Sequence, residues 1–517
     1  MKCKRQLLIL FTIFLAISIF SFAQERWIHK YSSADKVLFG FTSDFFIPFL
    51  GGYLGTGVAG GGPDTRHPLY VWRADSHGNI MWVKELVSDF GWDTQLLDNG
   101  DETFSVVFLD GLTVVNCDSS GNVLSSFGYF FGSRYSANTA DGEIDVLTNS
   151  GMGRFDRTTG DTVFVKGYLP LTPDAPFIEG YGYDKTTGGG YIMAGNIFAD
   201  ALIGSTVLKL DSDGNLLWAK IYETNIMESK PIVAATKDGG FVLSHKYLTT
   251  ESYVRTPLMR MDNQGNILWQ EELVYPEHPQ MTSAKISGLK ECENGTILVW
   301  GFTGEEQDNP ISGTPFMATL NSDGAPMWSN IYWFLNERPP SMVEETEKGY
   351  VLVGYDNGAA LFTRVDNSGN LTDECTYYIS AINMNIIETS FSSSDAQFTM
   401  IDGNQPYPLQ GEYSSKDIPL KDIVSCGETW PAVLSVQKAS NPFRLKLTGW
   451  NFQQGSEVYV NGVKAGKVMI KGTDSYNRTK IVVKGSDFKA LLPKGQPVCI
   501  TVKNPDGHES DCFTFTR

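Results

Sequence analysis

Few side chains of the types that carry catalysis stand at catalytic spacings in this sequence. No pair of histidines forms an HExxH motif or another zinc-binding spacing. No GxSxG nucleophile elbow and no P-loop is present. The sequence therefore predicts no catalytic residue, no cofactor site and no metal site. The histidines are His29, His67, His77, His245, His278 and His508.

One segment begins like a calcium-binding loop. The run from Asp211, DSDGN, places carboxylates at Asp211 and Asp213, the first and third positions of an EF-hand. The twelfth position is Tyr222, where an EF-hand needs a bidentate Glu. Related turns elsewhere vary freely at the third place. A β-turn capped by its Asp side chain therefore explains the segment better than a metal site.

This turn belongs to a repeat, and the repeat indicates the fold. Related turns begin at seven positions, 38 to 59 residues apart, each after a β-like segment. A period of this length, with about four short strands per unit, is typical of β-propeller blades. The sequence predicts an all-β fold with a β-propeller of seven four-stranded blades over residues 24–401, although degenerate units leave six or eight blades open. The turns start at Asp75, Asp118, Asp156, Asp211, Asp262, Asn321 and Asp366.

An aromatic residue recurs at one place in the repeat. A tryptophan follows the first residue of four turns by seven positions, and we expect it to wedge between neighbouring blades. The flanking segments 36–39 and 386–400 are expected to close the ring by sharing a blade. The recurring place holds Trp82, Trp218, Trp269 and Trp328, and in the other units Ser125, Val163 and Asp373.

The string LDSDGNLLWAKIY over residues 210–222 resembles the repeat of bacterial secreted β-propeller-repeat proteins. About four units match it well and the others loosely, over residues 26–401. The resemblance implies the fold and leaves the activity open. The Asp-x-x-Gly-x-x-x-Trp spacing is also similar to the repeat of quinoprotein dehydrogenases, which would imply eight blades, a cofactor and calcium. No ligands for those groups are identified in the sequence.

A second domain follows the repeat. Residues 402–430 lose the repeat pattern and are predicted to be a linker, and residues 431–517 are predicted to form a β-sandwich of short strands. The segments 447–462 and 502–515 resemble the immunoglobulin-like IPT/TIG domain. That resemblance implies a module used for spacing or for binding.

Charge divides the chain at the same place. Residues 431–517 contain 13 Lys and Arg against 6 Asp and Glu, a net charge of +7, which leaves −28 for residues 24–430. One interpretation is a solvated acidic propeller beside a basic domain. The other is that the basic domain contacts an acidic polysaccharide, an anionic envelope or the propeller itself. Nucleic acid is not expected as a partner of so acidic an exported chain.

The first residues are typical of a secretory signal. Basic residues precede the apolar run Leu7–Phe20, and small residues precede a cleavage point after Ala23, so residues 1–23 are predicted to be a signal peptide. The run is too short for a transmembrane span. We therefore expect a protein that is secreted, extracellular or associated with the cell surface, with the periplasm as a further possibility.

Six cysteines remain after the predicted cleavage, an even number that permits disulfides in an exported protein. Cys499 and Cys512 flank a hairpin turn, so a plain two-residue loop would place them opposite each other. A bulged turn would instead place them on different faces. Cys375 and Cys426 are a second candidate pair.

These observations predict a non-catalytic protein for binding, adhesion or scaffolding, which presents an extracellular glycan or protein ligand on propeller loops. The alternatives are an extracellular polysaccharide lyase or hydrolase, or a quinoprotein-type oxidoreductase. Charged residues converging on the central channel would favour an enzyme, and small apolar residues would favour binding. Aromatic residues in apparent loops could stack on sugars, but the ligand-binding residues remain unassigned; these aromatics are Trp92, Tyr181, Tyr183 and Trp333.

Overall fold

A computed structural model gives the structure of the chain. For residues 27–40 and 379–427 it describes the backbone alone. The described residues are 27–33, 38–40, 46–60, 69–87, 94–108, 113–130, 136–140, 142–148, 151–170, 177–198, 202–223, 231–245, 247–248, 254–274, 285–303, 314–332, 342–346, 349–356, 359–371, 379–381, 385–388, 393–395, 398–402, 407–409, 414–417, 420–427, 430–440, 442–473, 478–485 and 487–517. The predicted signal peptide lies outside them.

Seven sheets share one plan, in which antiparallel strands lie side by side and the outermost strand comes from residues 379–427. Sheet 1 contains β2 (Leu38–Gly40), β3 (Phe46–Phe49), β4 (Gly52–Gly60), β5 (Leu69–Ala74), β6 (Ile80–Val87) and β37 (Ser414–Asp417). Sheet 2 contains β7 (Thr94–Asp98), β8 (Thr103–Phe108), β9 (Thr113–Asp118), β10 (Val123–Phe130) and β36 (Tyr407–Leu409). Sheet 3 contains β11 (Ser136–Ala140), β12 (Glu143–Thr148), β13 (Gly151–Asp156), β14 (Thr162–Pro170) and β35 (Phe398–Asp402).

The next four sheets follow the same plan. Sheet 4 contains β15 (Phe177–Lys185), β16 (Tyr191–Phe198), β17 (Leu202–Leu210), β18 (Leu216–Glu223) and β34 (Ser393–Asp395). Sheet 5 contains β19 (Ile232–Ala235), β20 (Phe241–Ser244), β23 (Pro257–Met261), β24 (Ile267–Val274) and β33 (Asn385–Glu388), and a ribbon of β21 (Tyr247–Leu248) and β22 (Val254–Arg255) lies between β20 and β23 in the chain. Sheet 6 contains β25 (Lys285–Glu291), β26 (Ile297–Thr303), β27 (Thr314–Leu320), β28 (Pro326–Tyr332) and β32 (Ile379–Ala381). Sheet 7 contains β29 (Met342–Thr346), β30 (Gly349–Asp356), β31 (Ala359–Val365), β1 (Trp27–Ser33) and β38 (Leu420–Gly427).

The innermost strands of neighbouring sheets contact one another. Strand β3 contacts β7 and β29, β7 contacts β11, and β19 contacts both β15 and β25. Buried clusters lie between adjacent sheets, for example one that joins Phe49 of sheet 1 to Phe104 of sheet 2. The described chain is thus all-β, with repeated antiparallel sheets packed face to face. This arrangement is consistent with a β-propeller.

The last sheet of the series is completed by the first strand of the chain. Strand β1 lies between β31 and β38, with Trp27 opposite Arg364 on one side and Gly427 on the other. The expectation that segments 36–39 and 386–400 share a blade was wrong in detail. Strand β2 belongs to sheet 1, and residues 385–402 contribute single strands to sheets 5, 4 and 3. In the other sheets, the strand after the repeated turn pairs with the strand before it. In sheet 7 that position beside β31 is occupied by β1.

Residues 379–427, which we call the outer segment, add one strand to every sheet. The order is sheet 6, 5, 4, 3, 2, 1 and finally 7, the reverse of the chain order up to the last step. Residues 402–430, expected to form a linker, therefore contain three edge strands of the repeated sheets. Sequence periodicity did not indicate these strands because most are three to five residues long. Their backbone pairing supplies partners to edge groups that would otherwise be open.

Two further four-stranded sheets form the C-terminal module, residues 431–517. Sheet 8 has the order β39 (Ala432–Ser440), β40 (Phe443–Trp450), β44 (Thr479–Lys484) and β43 (Lys467–Thr473). Sheet 9 has the order β42 (Val463–Lys464), β41 (Glu457–Val460), β45 (Pro497–Lys503) and β46 (Phe513–Thr516). Leu445, Leu447 and Ile481 of sheet 8 share one buried core with Val458 and Ile500 of sheet 9. A short 3₁₀ helix, Asp487–Leu491, also contributes to this core.

A disulfide joins Cys499 and Cys512, one of the two pairs considered from the sequence. Cys117 and Cys292 are buried, and burial raises the pKa of the Cys117 thiol to about 12. The pairing of Cys375 with Cys426 stays a prediction, because Cys375 lies outside the described residues. Across the parts of the chain that are described, no helix has the length and apolar character needed to cross a membrane.

Candidate functional site

The repeated turns use their acidic side chains to hold the backbone. In the fourth turn, Asp211 Oδ1 accepts the backbone N–H groups of Asp213 at 2.9 Å and Asn215 at 2.8 Å, and Asp211 Oδ2 accepts the Asn215 side-chain amide at 2.8 Å. Gly214 has φ +73°, which favours glycine at this place. The Asp211 carboxylate therefore acts as the cap of a β-turn. No group of three or more His, Cys, Asp or Glu among the described residues is placed to hold a metal ion.

The recurring tryptophans join adjacent sheets, as the sequence predicted. Trp218 Nε1 in sheet 4 donates to the Asn263 carbonyl in the turn of sheet 5, at 3.2 Å. A Cβ atom added to Gly265 in that turn would lie 2.9 Å from the Trp218 ring, so the ring lies directly against the glycine. Equivalent bonds run from Trp82 to Ser119 and from Trp269 to Ser322.

The third unit differs from the prediction by one residue. Its turn, DRTTGD from Asp156, is one residue longer than the others, so the place opposite Arg154 is taken by Phe164. Val163, expected at that place, is exposed instead. Phe164 lies near Gly214 of the next turn, where the tryptophans lie in other units. Asp373, the corresponding residue of the last unit, lies outside the described residues.

We expect Trp218→Ala to lower the free energy of unfolding by about 2–3 kcal/mol, because it removes a half-buried indole and its hydrogen bond between sheets. The adjacent Leu217 is 58% exposed and provides a matched control. Leu217→Ala should change stability by less than about 0.5 kcal/mol. Urea denaturation of both variants checks the prediction, and equal effects would contradict the wedge role.

The C-terminal module covers the first turn, Asp75–Asn79. The other described turns of the repeat have no such cover. Trp430, which immediately precedes the module, lies between two imidazole rings. Its ring stacks on His77 of the turn with centroids 4.1 Å apart and planes 8° apart, and on His508 of the module with centroids 4.6 Å apart. We call this contact region the joint.

Hydrogen bonds complete the joint. Ser76 donates its backbone N–H to Asp511 Oδ2 at 3.1 Å and its hydroxyl to the same carboxylate at 2.9 Å. Trp450 Nε1 donates to the carbonyl of Ile80 at 2.9 Å and is buried. Asn451 donates its side-chain amide to Asn79 Oδ1 at 3.2 Å.

Burial by the module raises the pKa of the carboxylate in the first turn, whereas the pKa values of Asp211 and Asp262 in uncovered turns are lowered. Desolvation raises the pKa of Asp75 to about 6, opposed by His77 and reinforced by Asp511. In Asp211 and Asp262, partial burial also raises the pKa, but hydrogen bonds from Asn215 and Asn266 outweigh it and the net pKa is lowered. The carboxylates have the same bonds within their turns. The covering module therefore accounts for the difference.

The sequence had not indicated the joint. Its one distinguishing mark is His77, an imidazole at the third place of a turn where the other copies carry Ser, Thr, Asp or Gln. Trp450 and Asn451 lie inside the segment that resembles an IPT/TIG domain. That resemblance indicated a fold for the module and gave no indication of a contact with the repeated sheets. No local pattern connects Trp430 or Asp511 to a turn more than 350 residues earlier, because the contact arises only in the folded chain.

The other candidate residues do not form one site. Tyr183 is half-buried with its ring 6.5 Å from that of Tyr191, and Tyr181 lies in β15. His245 is buried in the region of sheet 5, where desolvation lowers its pKa to about 3 and keeps it neutral. His29 lies in β1. Trp92, Trp333, His67 and His278 lie outside the described residues.

Carboxylates on the innermost strands connect neighbouring sheets. Asp184 of β15 accepts the backbone N–H of Ala235 in sheet 5 at 2.9 Å, and burial raises its pKa. Glu291 of β25 accepts the backbone N–H of Lys237 at 2.6 Å. Between them β19 is small and apolar, with the sequence IVAA. These described carboxylates thus have structural partners in the adjacent sheets.

Comparison with known proteins gives a limited result. No protein-family model matches the sequence. No curated protein matches it. Among solved structures, the phage phi92 endosialidase is 11% identical with a TM-score of 0.33, covering 95% of this chain and 87% of its own. A luciferin-regenerating enzyme is 12% identical with a TM-score of 0.30, covering 52% and 89%. The Kuenenia stuttgartiensis hydrazine synthase is 8% identical with a TM-score of 0.31, covering 62% and 92%. Similarity at this level carries no inference about activity.

Proposed function

We propose that the chain is an exported binding or scaffold protein without catalytic activity, built from a seven-bladed β-propeller and an immunoglobulin-like module fixed to it. The joint is the observation that carries this proposal. It consists of a stacked Trp430 between His77 and His508, a buried Trp450 and a charge-assisted contact to Asp511. Such a contact holds two potential binding surfaces in one orientation.

The architecture supports the same proposal. Seven sheets with one strand order, seven capped turns and a first strand that completes the last sheet support a closed ring of seven blades. The two sheets of the module, packed on one core, fit an immunoglobulin-like sandwich. On the inner strands, the described carboxylates of Asp184 and Glu291 bridge sheets, which favours a binding function over polysaccharide cleavage.

A glycan array with the exported chain, residues 24–517, tests the proposal. The array should contain neutral and acidic glycans, and each bound glycan should then be incubated with the protein and analysed for cleavage. We expect retention of a glycan, or of a protein ligand captured from intact cell surfaces, with the glycan recovered unchanged. Cleavage of a bound glycan would overturn the non-catalytic assignment. Failure to retain any glycan or surface protein would overturn the binding assignment.

A further inference from the structure

The C-terminal module carries its positive charge on one face of sheet 8. Residues along β40 alternate between the buried core, Leu445 and Leu447, and the opposite face, Arg444 and Lys446. Strand β44 alternates in the same way, and β43 places Lys467 on the same face. This outer face, which we call the cationic face, carries Arg444, Lys446, Lys467, Lys480 and Lys484.

Three of these cations form a row across adjacent strands. Arg444 lies opposite Lys484, and Lys484 lies opposite Lys467. Directly opposed side chains in a sheet have Cβ atoms about 5 Å apart, and like charges at that distance destabilise the sheet. The buried Arg444 Nε has no hydrogen-bond partner among the described residues. The row therefore costs stability in the protein alone, and an anion that lay across it would remove that cost.

The acidic residues of the module that the structure describes lie elsewhere. No Asp or Glu occurs on the cationic face in the described parts of β39, β40, β43 and β44. Glu457 pairs with Lys464 on sheet 9, and Asp511 belongs to the joint. The segregation leaves one surface of a single sign.

The charged row and the joint lie at opposite ends of β40. Trp450, at one end of β40, contacts sheet 1, whereas Arg444 lies six residues earlier in the same strand. At about 3.3 Å per residue, the charged row lies about 20 Å from the joint along the strand. Contact with the acidic sheets through the joint therefore leaves the row available to another partner.

We propose that the cationic face binds a linear anionic polysaccharide through its carboxylate or sulfate groups. A flat sheet with cations spaced about 5 Å across strands and about 7 Å along them matches an extended chain with repeated charges. A membrane surface is less suited, because the large exposed apolar residue of the described module, Val463, lies on sheet 9. Nucleic acid is less suited, because the described face has no aromatic side chain for base stacking. This inference concerns the module and is independent of any ligand on the propeller loops.

Two charge-matched triple variants of the chain 24–517 test the inference. K446Q/K480Q/K484Q removes three charges from the cationic face, and K464Q/K494Q/K503Q removes three charges from the rest of the module. Affinity for polygalacturonate, which is carboxylated, and for heparin, which is sulfated, is measured at 50 and 300 mM salt. We expect the face variant to bind at least one of them ten-fold or more weakly than both the wild type and the control, and wild-type binding to weaken as salt increases.

Three other results would contradict the proposal. If both variants lose affinity equally, binding depends on the overall charge of the module, and the assignment to the cationic face is wrong. Absence of wild-type binding to both polysaccharides would overturn the proposal. Preferential binding to anionic vesicles or to DNA would overturn the assigned partner.

Circular dichroism melting of both variants checks that they fold. We expect the melting temperature of the face variant to be unchanged or higher, because like charges are removed.

Discussion

Replacing Arg154 by methionine is expected to lower the free energy of unfolding by about 3–5 kcal/mol, because it leaves the buried Asp145 carboxylate without its cation. Arg154 Nε lies 2.5 Å from Asp145 Oδ1 and Nη2 lies 3.0 Å from Oδ2, and Asp145 is fully buried. Tyr191 of sheet 4 also donates its hydroxyl to Asp145. Arg154 Nη2 donates further to the Ser212 carbonyl at 2.8 Å, so the cluster fastens sheet 3 to sheet 4.

A double variant separates pairing from simple loss of a side chain. In D145L/R154M neither charge remains, so we expect it to be clearly more stable than R154M alone, although Tyr191 then loses its acceptor. Urea denaturation of the wild type, R154M and D145L/R154M provides the comparison. A single variant as stable as the wild type would contradict the assignment of Arg154 as the partner that makes Asp145 tolerable in the interior.

The stability of the joint should decrease as pH rises. Burial raises the pKa of Asp75 from its ordinary 3.8 to about 6, so the docked module favours the protonated acid. The contribution is fully present below pH 3.8 and is lost as pH rises through 6. A rise in the pKa of Asp75 from 3.8 to about 6 corresponds to about 3 kcal/mol.

Stability at pH 5 and at pH 8 measures this effect. We expect the wild type to be more stable at pH 5, and Asp75→Asn to lose most of the difference. Asn321 at the same place in the sixth turn accepts the same two backbone N–H groups, so the turn tolerates an amide. Asp262→Asn, in an uncovered turn whose Asp has a lowered pKa, should leave the pH dependence unchanged. A D75N variant with the full wild-type pH dependence would contradict the role of Asp75.

The repeated part of the fold was predictable because each unit carries local sequence signals for its turn and its strands. Turns such as Asp211–Asn215, with a capping Asp and a glycine of positive φ, identify the hairpin between the third and fourth strands. Trp218 indicated the contact between sheets because an aromatic at a fixed place must be buried against a neighbouring unit. In the third unit one extra turn residue was enough to move the place from Val163 to Phe164.

The outer segment and the joint were not predictable from local pattern. Strands such as Ile379–Ala381 and Tyr407–Leu409 are too short to show alternation, and their partners are the edges of sheets formed earlier in the chain. The joint brings Trp430 and Asp511 onto residues 76 and 77 across more than 350 residues. Long-range pairing of this kind is decided by the folded surface, so composition and periodicity carry no trace of it.

Hydrogen exchange of the Ser76 backbone amide tests the central claim that the module is held on the first turn. Ser76 donates this amide to Asp511 of the module. Ser212 holds the same place in the exposed fourth turn and serves as an internal reference. We predict that Ser76 exchanges at least ten-fold more slowly than Ser212 in the full chain, and that Trp430→Ala brings the two rates together. Equal rates in the wild type would contradict the joint and, with it, the fixed arrangement of the two modules.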